Sequence, residues 1–257
     1  MASKYVLKEA KDEKDMDVIM DVIWAANYTP YDPIAQIIFP VLGYTPEDRA
    51  ASITEAKQRF WSQHLADPAS HWFYVVELES GKAVGCCQWQ IFTANPFAKG
   101  SGRIEAPWWP EGEYRGFCED ILNQVYLPRK SWMQKPFLAL NWMAVLPTHR
   151  RRGIGSLLMN AGITRADDLN LECWMESSGM GKPLYEIFGF KPISTIQFDT
   201  ERTNASDVWR RCEHDLIPPT ITTMWRPKGG LWTVNGRTVE GPWEADPEDI
   251  KKGGIRI

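Results

Sequence analysis

The chain has 257 residues, 44% of them hydrophobic, and its formal net charge is −4. This length and composition suffice for one sizeable core, and we expect a single globular domain with insertions. Because 33 acidic residues outweigh 29 basic ones, the charge balance excludes a general attraction to nucleic acid or anionic membranes, so any anion site must be local.

The absence of targeting patterns and the cysteine usage favour the cytosol. The sequence has no apolar run of about 18 residues, and MASKYVLKEAKDEKDMD resembles neither a secretory signal nor a transit peptide. The five cysteines lie mostly inside apolar runs and form no CxxC pair, so we expect reduced core residues. The four histidines show no metal-ligand spacing with them, and we expect no metal.

The first part of the chain predicts a strand, two helices and a hairpin. Asp15 is the predicted N-cap of the first helix, in which apolar residues recur at helical spacing. Two apolar, β-rich runs joined by Ser80-Gly81-Lys82 are typical of an antiparallel hairpin. In chain order these elements are a strand at 4–9, a helix at 16–27, one helical turn around 34–39, a helix at 45–65, and strands at 71–80 and 83–92.

An insertion is predicted at about 95–136. Glycine, proline and the pair Trp108-Trp109 interrupt the pattern there, and only residues 116–127 have helical periodicity. Such a segment is suited to form the wall of a substrate site.

Strands and helices alternate in the remainder of the chain, which predicts a parallel crossover inside a mixed sheet. A tail rich in Gly, Pro and charge follows at 227–257, with one hairpin around Asn235-Gly236, and we expect it to pack outside a domain formed by 1–226. The predicted elements are a strand at 137–145, a helix at 155–169, a strand at 171–177, a helix at 182–188, and strands at 191–198 and 218–225.

Residues 145–156, VLPTHRRRGIGS, form the first motif that carries chemistry. Three consecutive arginines precede a helix, where each cation opposes the helix dipole by about 0.3–1 kcal/mol, so a negative ligand is expected there. Gly153 and Gly155 allow backbone amides to approach an anion such as a pyrophosphate. The Walker pattern is absent, and the dinucleotide pattern GxGxxG fails because Leu158 occupies its third glycine position.

A second motif, SSGMGKPLYEIFGF at 177–190, combines a loop, a short helix and a glycine stop. The two segments together, V-x-P-x-x-R-x-x-G-x-G and L-Y-x-x-x-G-F, resemble motifs A and B of the GNAT superfamily of N-acetyltransferases. The resemblance spans about 4–226 and the order of elements agrees with it. It implies an α/β fold of the α+β type, with a mixed sheet of about seven strands, helices on both faces and a splayed parallel strand pair.

The resemblance also implies acetyl-CoA as co-substrate. Backbone groups of Met143, Ala144 and Val145 would pair with its pantetheine arm, and Ser178 would contact CoA. Tyr185 would protonate the departing thiolate, for which a phenol of pKa about 10 is suited. The implied pyrophosphate site comprises Arg150, Arg151, Arg152, Gly153, Ile154, Gly155 and Ser156.

The general base and the acceptor site are less defined. The strand before the first motif reads LALNW and holds no carboxylate, which leaves Glu119, Asp120 or Glu176, a base acting through water, or an acceptor that is already deprotonated. Candidate acceptor-binding residues are Trp24, Tyr28, Tyr31, Asp32, Phe39, Trp108 and Trp109.

The expected function is acetyl transfer to an amine by direct attack in a ternary complex. The long aromatic insertion favours a small-molecule acceptor, of the kind used by fungal members, and neither nucleic acid nor membrane is an expected partner. A homodimer is compatible with the sequence. A non-catalytic acetyl-CoA-binding protein of the same fold is the alternative, and an arginine-based nucleic-acid binder is the weakest interpretation.

Overall fold

The computed structural model describes residues 4–28, 31–100, 102–234 and 236–244. Within these ranges the strands are β1 (Tyr5–Glu9), β2 (Ser70–Glu77), β3 (Ala83–Phe92), β4 (Phe137–Val145), β5 (Glu172–Ser178), β6 (Lys191–Thr195), β7 (Ile221–Arg226), β8 (Thr233–Val234) and β9 (Arg237–Thr238). The first seven form one sheet in the order β1-β2-β3-β4-β5-β7-β6.

The described part of the chain contains seven α-helices. They are α1 (Glu13–Asn27), α2 (Pro33–Ile38), α3 (Pro46–Ala66), α4 (Glu113–Trp132), α5 (Ile154–Asp168), α6 (Lys182–Ile187) and α7 (Asp207–Leu216). Among the described residues, no helix is both long and apolar enough to cross a membrane.

The sheet is mixed, as the sequence predicted. Strands β1 to β4 pair antiparallel in succession, β4 and β5 pair parallel, and β7 pairs antiparallel with both β5 and β6. Helix α5 forms the crossover between β4 and β5, as a parallel pair requires. The predicted fold class is therefore confirmed.

Helices cover both faces of the sheet. Two neighbouring residues of β3, which point to opposite faces, show this. Cys86 of β3 packs toward α1, with its Sγ 3.8 Å from the Ile19 carbonyl oxygen. The next residue, Cys87, packs toward α5, with its Sγ 3.7 Å from the Leu158 carbonyl oxygen. Burial raises the pKa of both thiols, and all five cysteines are free and buried, as expected of core residues.

Two predictions about helices were wrong. The N-cap of α1 is Asp12, whose carboxylate accepts from the Asp15 amide at 3.0 Å, and Asp15 itself lies in the first turn. Several acids crowd this boundary, so composition alone did not identify the one with extended backbone. Helix α7 was missed, although Trp209, Cys212 and Leu216 form its buried face at helical spacing and Ser206 caps it.

The tail beyond β7 contacts the core. Trp232 donates its indole N–H to the Gly189 carbonyl at 2.8 Å, and the Trp243 ring lies 5.5 Å from the Trp132 ring, edge to face. Strands β8 and β9 pair at the predicted hairpin, with Gly236 at a φ of 79°, while Asn235 lies outside the described residues.

Candidate active site

The parallel strands β4 and β5 separate partway along their length. Their pairing runs from Phe137 opposite Glu172 to Leu140 opposite Met175 and then ends. Beyond that point, among the described residues, β4 pairs only with β3, and β5 only with β7. Backbone groups on the facing edges of the two strands are therefore free to bind an extended, amide-containing ligand. We call this opening the split.

A β-bulge marks the start of the split. Opposite β3, Gln88 aligns with Trp142 whereas the next residue, Trp89, aligns with Leu140. Asn141 is thus an extra residue in β4, and such a residue turns the strand and exposes its neighbours. Met143, Ala144 and Val145, the predicted pantetheine-binding residues, follow the bulge along the split.

The loop after β4 leads directly into the N-terminus of α5. Arg151 has a φ of 62°, and Gly153, the N-cap, has a φ of 81°, so the chain turns twice through the left-handed region. No side chain of the described residues caps α5, and the first intrahelical bond is donated by the Leu157 amide to the Gly153 carbonyl at 3.1 Å. The preceding amides, up to Ser156, therefore remain available for an anion.

The two glycines of this loop have different roles. A Cβ on Gly153 would meet open space, so this position needs glycine for its backbone angle. A Cβ on Gly155 would lie 2.8 Å from Cδ2 of Leu184, so this position allows α5 to pack closely on α6. The sequence interpretation gave both glycines the same role at the anion site, and for Gly155 the structure shows a packing reason.

The arginines beside the loop are exposed. Arg150 donates from Nε to the Val145 carbonyl at 3.3 Å, and Arg151 makes no ion pair within the described residues. On the other side of the loop lies Glu77, whose pKa is lowered by the Ser80 hydroxyl and further by the nearby His149 and Arg152. One carboxylate thus balances part of a site that otherwise stays positive.

Tyr185 lies on α6, on the same face of the sheet as α5. Its ring folds over Gly181, where a Cβ would lie 2.6 Å from Cε2 of the ring, and it packs against the cluster that contains Cys87, Leu140 and Met175. Burial is the main cause that raises the pKa of Tyr185 well above its usual range, so the phenol keeps its proton at neutral pH.

Ser178 stands at the end of β5, where its hydroxyl oxygen accepts from the Gly181 amide at 3.3 Å. It is exposed and lies at the turn that leads into α6. Its bond to Gly181 therefore helps to fix the loop over which Tyr185 folds.

A buried arginine that the sequence did not single out lies where the split begins. Arg129 of α4 is 4% exposed and donates from Nη1 to the Asn141 side-chain oxygen at 2.6 Å. It also binds Glu176 with two nitrogens, Nε at 3.2 Å from Oε1 and Nη2 against the other oxygen. The guanidinium therefore joins β4 to β5 just beyond the last paired residues.

The candidate bases are all engaged. Both Glu176 oxygens bind Arg129. Glu119 accepts from the Ala106 amide at 2.9 Å and from Arg115 at 2.8 Å, and these two bonds, the first most, lower its pKa. Asp120 pairs with Arg202 at 3.2 Å. All three carboxylates therefore already bind arginines.

The predicted acceptor residues of the first helices form one aromatic cluster. The Tyr28 ring lies 6.1 Å from Trp24 and 4.9 Å from Tyr31, and the Trp24 ring lies 5.9 Å from Phe39. These residues line a small cavity of about 10 Å³, which is room for about one water molecule. Asp32 has a structural role instead, because its carboxylate caps α2 by accepting from two backbone amides.

Two tryptophans of the insertion contact α2 and belong to a separate hydrophobic cluster. Trp108 and Trp109 both donate their indole N–H groups to the Ile37 carbonyl, at 2.8 and 2.9 Å. Trp142 of β4 meets Phe39 edge to face at 5.3 Å, so the cluster extends to the strand that borders the split. The structure therefore places the six predicted aromatic acceptor residues around α2, four in one cluster and the two tryptophans of the insertion in another.

Comparisons with known proteins agree with this geometry. A family model described as "Acetyltransferase (GNAT) family" matches residues 41–190, more than half of the chain. A comparison with curated protein sequences returned no match.

Several solved structures share the fold. A structure from Corynebacterium glutamicum described as histone acetyltransferase HPA2 and related acetyltransferase is 21% identical, with a TM-score of 0.54 over 88% of this chain and 97% of that one. A mosquito arylalkylamine N-acetyltransferase like 5b is 16% identical, with a TM-score of 0.53 over 86% and 99% of the two chains. A Drosophila melanogaster polyamine N-acetyltransferase is 15% identical, with a TM-score of 0.52 over 86% and 98%.

Proposed function

Because the chain belongs to the GNAT acetyltransferase family, we propose that it transfers an acetyl group from acetyl-CoA to a small-molecule amine. The observation that carries this proposal is the split between β4 and β5, which opens beside an uncapped helix N-terminus. The first feature offers backbone partners to the amide-rich pantetheine arm. The second offers amides and positive charge to the pyrophosphate.

In the proposed reaction both substrates are bound together. The amine nitrogen attacks the thioester carbonyl carbon, the C–S bond breaks, and the sulfur leaves with the bonding electrons. Tyr185 then gives its proton to the thiolate, the proton lost by the amine passes to solvent, and the Tyr185 phenolate regains a proton from solvent. Support for this role of Tyr185 comes from its packing against the hydrophobic cluster that includes Leu140 and Met175, the last paired residues before the split, and from its retained proton.

The acceptor site proposed here comprises the aromatic residues around α2, whose side chains must move apart to admit a ligand because the cavity between them is small. Trp24, Tyr28, Tyr31, Trp108 and Trp109 together favour an amine with an aromatic or apolar body. Structural neighbours include proteins named as arylalkylamine, agmatine and polyamine N-acetyltransferases, all of which are named for small amines. Since the three candidate carboxylates are engaged, the acceptor is expected to react as the minor, unprotonated amine.

One observation favours a second function, an acetyl-CoA-binding protein without turnover. The strand β4 carries Asn141 where a carboxylate base would be useful, and that amide is itself hydrogen-bonded to Arg129. Such a protein would bind acetyl-CoA and release no thiol with any amine.

The test is thiol release from acetyl-CoA in the presence of a panel of aromatic, aliphatic and polycationic amines. The proposal predicts release that depends on the amine and is greatest for aromatic amines. In Tyr185→Phe, kcat should fall about 100-fold while the acetyl-CoA KM changes little, since only the proton donor is lost. Tyr74→Phe is the matched control, because it removes another buried hydroxyl, bonded to Asp15 at 2.6 Å, from the opposite side of the domain. Wild-type protein that binds acetyl-CoA but never releases thiol would support the second function.

A further inference from the structure

Arg129 occupies an unusual position for a buried charge. The parallel ladder ends with Leu140 and Met175, and the next residue of each strand, Asn141 or Glu176, binds the same guanidinium. Hydrogen bonds between the strands are thus replaced, at the first unpaired position, by bonds through one rigid side chain. The guanidinium thus bridges a side chain of each strand across the opening.

Asn141 and Glu176, the two partners of the guanidinium, are each fixed by a further hydrogen bond. The Asn141 amide donates to the Gln90 side-chain oxygen at 2.5 Å, and the Trp174 indole donates to Glu176 Oε1 at 2.7 Å. Arg129 has five N–H donors in a planar fork, so three bonds to two anchored residues define its position closely. A network in which every member is bonded rigidifies the strands that carry it.

Stability alone does not explain this arrangement. A buried ion pair is often no more stabilising than apolar side chains of similar volume, because both charges lose their hydration. The charge also comes from the insertion, since α4 belongs to the segment between β3 and β4. The Tyr126 ring, 4.8 Å from the Arg129 Cζ, covers the guanidinium.

We propose that Arg129 is a positioning residue that sets the width of the split and thereby aligns the thioester arm of acetyl-CoA between β4 and β5. This inference rests on the proposed function, because it assigns the arm to the split. It gives the insertion a role in cofactor alignment in addition to any role at the acceptor site.

The test compares two ligands in calorimetric titrations. Acetyl-CoA would occupy both the split and the loop before α5, whereas the nucleotide pyrophosphate half of CoA, which lacks the pantetheine arm, would occupy the loop only. Arg129→Lys keeps the charge and loses the fork, and it should weaken acetyl-CoA binding about tenfold, or about 1.4 kcal/mol, while binding of the nucleotide half stays unchanged. Glu176→Gln, which keeps the shape and removes the charge, should act in the same direction.

The matched control is Arg226→Lys. Arg226 is 5% exposed and binds Asp167 with two nitrogens, at 2.7 and 3.1 Å, away from the split. Arg226→Lys should lower the melting temperature about as much as Arg129→Lys does. It should leave the ratio of the affinities for acetyl-CoA and for the nucleotide half as in wild type. Equal ratios in Arg129→Lys and wild type, or an equal change in Arg226→Lys, would overturn the inference.

The two proposals fail in different ways. A wild-type protein that binds acetyl-CoA no tighter than the nucleotide half would overturn the positioning role, because no arm would lie in the split. Wild-type binding of the arm without thiol release would overturn the proposed turnover and leave the affinity test of Arg129 intact.

Discussion

Replacement of Gly162 by alanine tests how α5 is placed on the sheet. A Cβ at this position would lie 2.1 Å from Cε2 and 2.2 Å from Cδ2 of Trp89, far closer than atoms pack. The Trp89 ring is 1% exposed, and its indole N–H donates to the Leu158 carbonyl at 3.2 Å, so it has no space in which to move. Overpacking of this severity costs about 3 kcal/mol, against which alanine gains about 1 kcal/mol in helix propensity.

The expected net loss of about 2 kcal/mol should lower the melting temperature by about 4–8 °C for a chain of this size. The matched control is Gly116→Ala in α4, where an added Cβ would meet nothing within 4 Å. There the propensity gain acts alone and should raise stability by about 0.5–1 kcal/mol. Thermal unfolding followed by circular dichroism compares the two variants with wild type, and equal melting temperatures for both would refute the packing argument.

Three further predictions concern the site. Arg151→Glu should weaken acetyl-CoA binding about tenfold by calorimetry without loss of melting temperature, whereas the equivalent reversal at exposed Arg210 of α7 should leave affinity unchanged. Because the pKa of Tyr185 is raised, its phenol should stay protonated up to about pH 10. Over that range kcat should rise with pH as the acceptor amine loses its proton. A decline of kcat near neutral pH would argue against this donor. Trp108→Phe removes one hydrogen-bond donor to the Ile37 carbonyl, so it should lower the free energy of unfolding by about 1 kcal/mol and raise the KM for the amine. An unchanged KM would place the acceptor elsewhere.

Elements with strong local patterns were predictable from the sequence. The predicted strand 137–145 coincides with β4, Phe137–Val145, because a continuous apolar run ends there at a proline and charged loop. The predicted helix 45–65 differs from α3, Pro46–Ala66, by one residue at each end, because Thr45 and Asp48 form a capping box that marks its start. Local signals of this kind depend on residues close together in the chain.

The short helix α7 was missed although its residues are strongly amphipathic. Its three buried residues are separated by charged ones in DVWRRCEHDL, and its apolar face is completed by contacts with α4 rather than by its own residues. A pattern of Trp209, Cys212 and Leu216 after a capping serine could have indicated it.

Some residues of the candidate site could be predicted from local motifs, and others could not. The loop before α5 and the position of Tyr185 follow from contiguous motifs, and their roles remain predictions that the proposed variants test. The Arg129 network joins residues 129, 141 and 176, which no local pattern connects. The fold brings α4 to the point where the pairing of β4 and β5 ends. The three-dimensional structure was therefore needed to show that Asn141 and Glu176 share one guanidinium.

The most direct test of the central claim is a calorimetric titration of the purified protein with acetyl-CoA. The split and the uncapped helix N-terminus predict saturable binding of about one molecule per chain, with affinity that falls as salt screens the arginines of the loop. Binding that is absent at every accessible concentration, at low salt and with folded protein, would contradict the assignment of this site to acetyl-CoA.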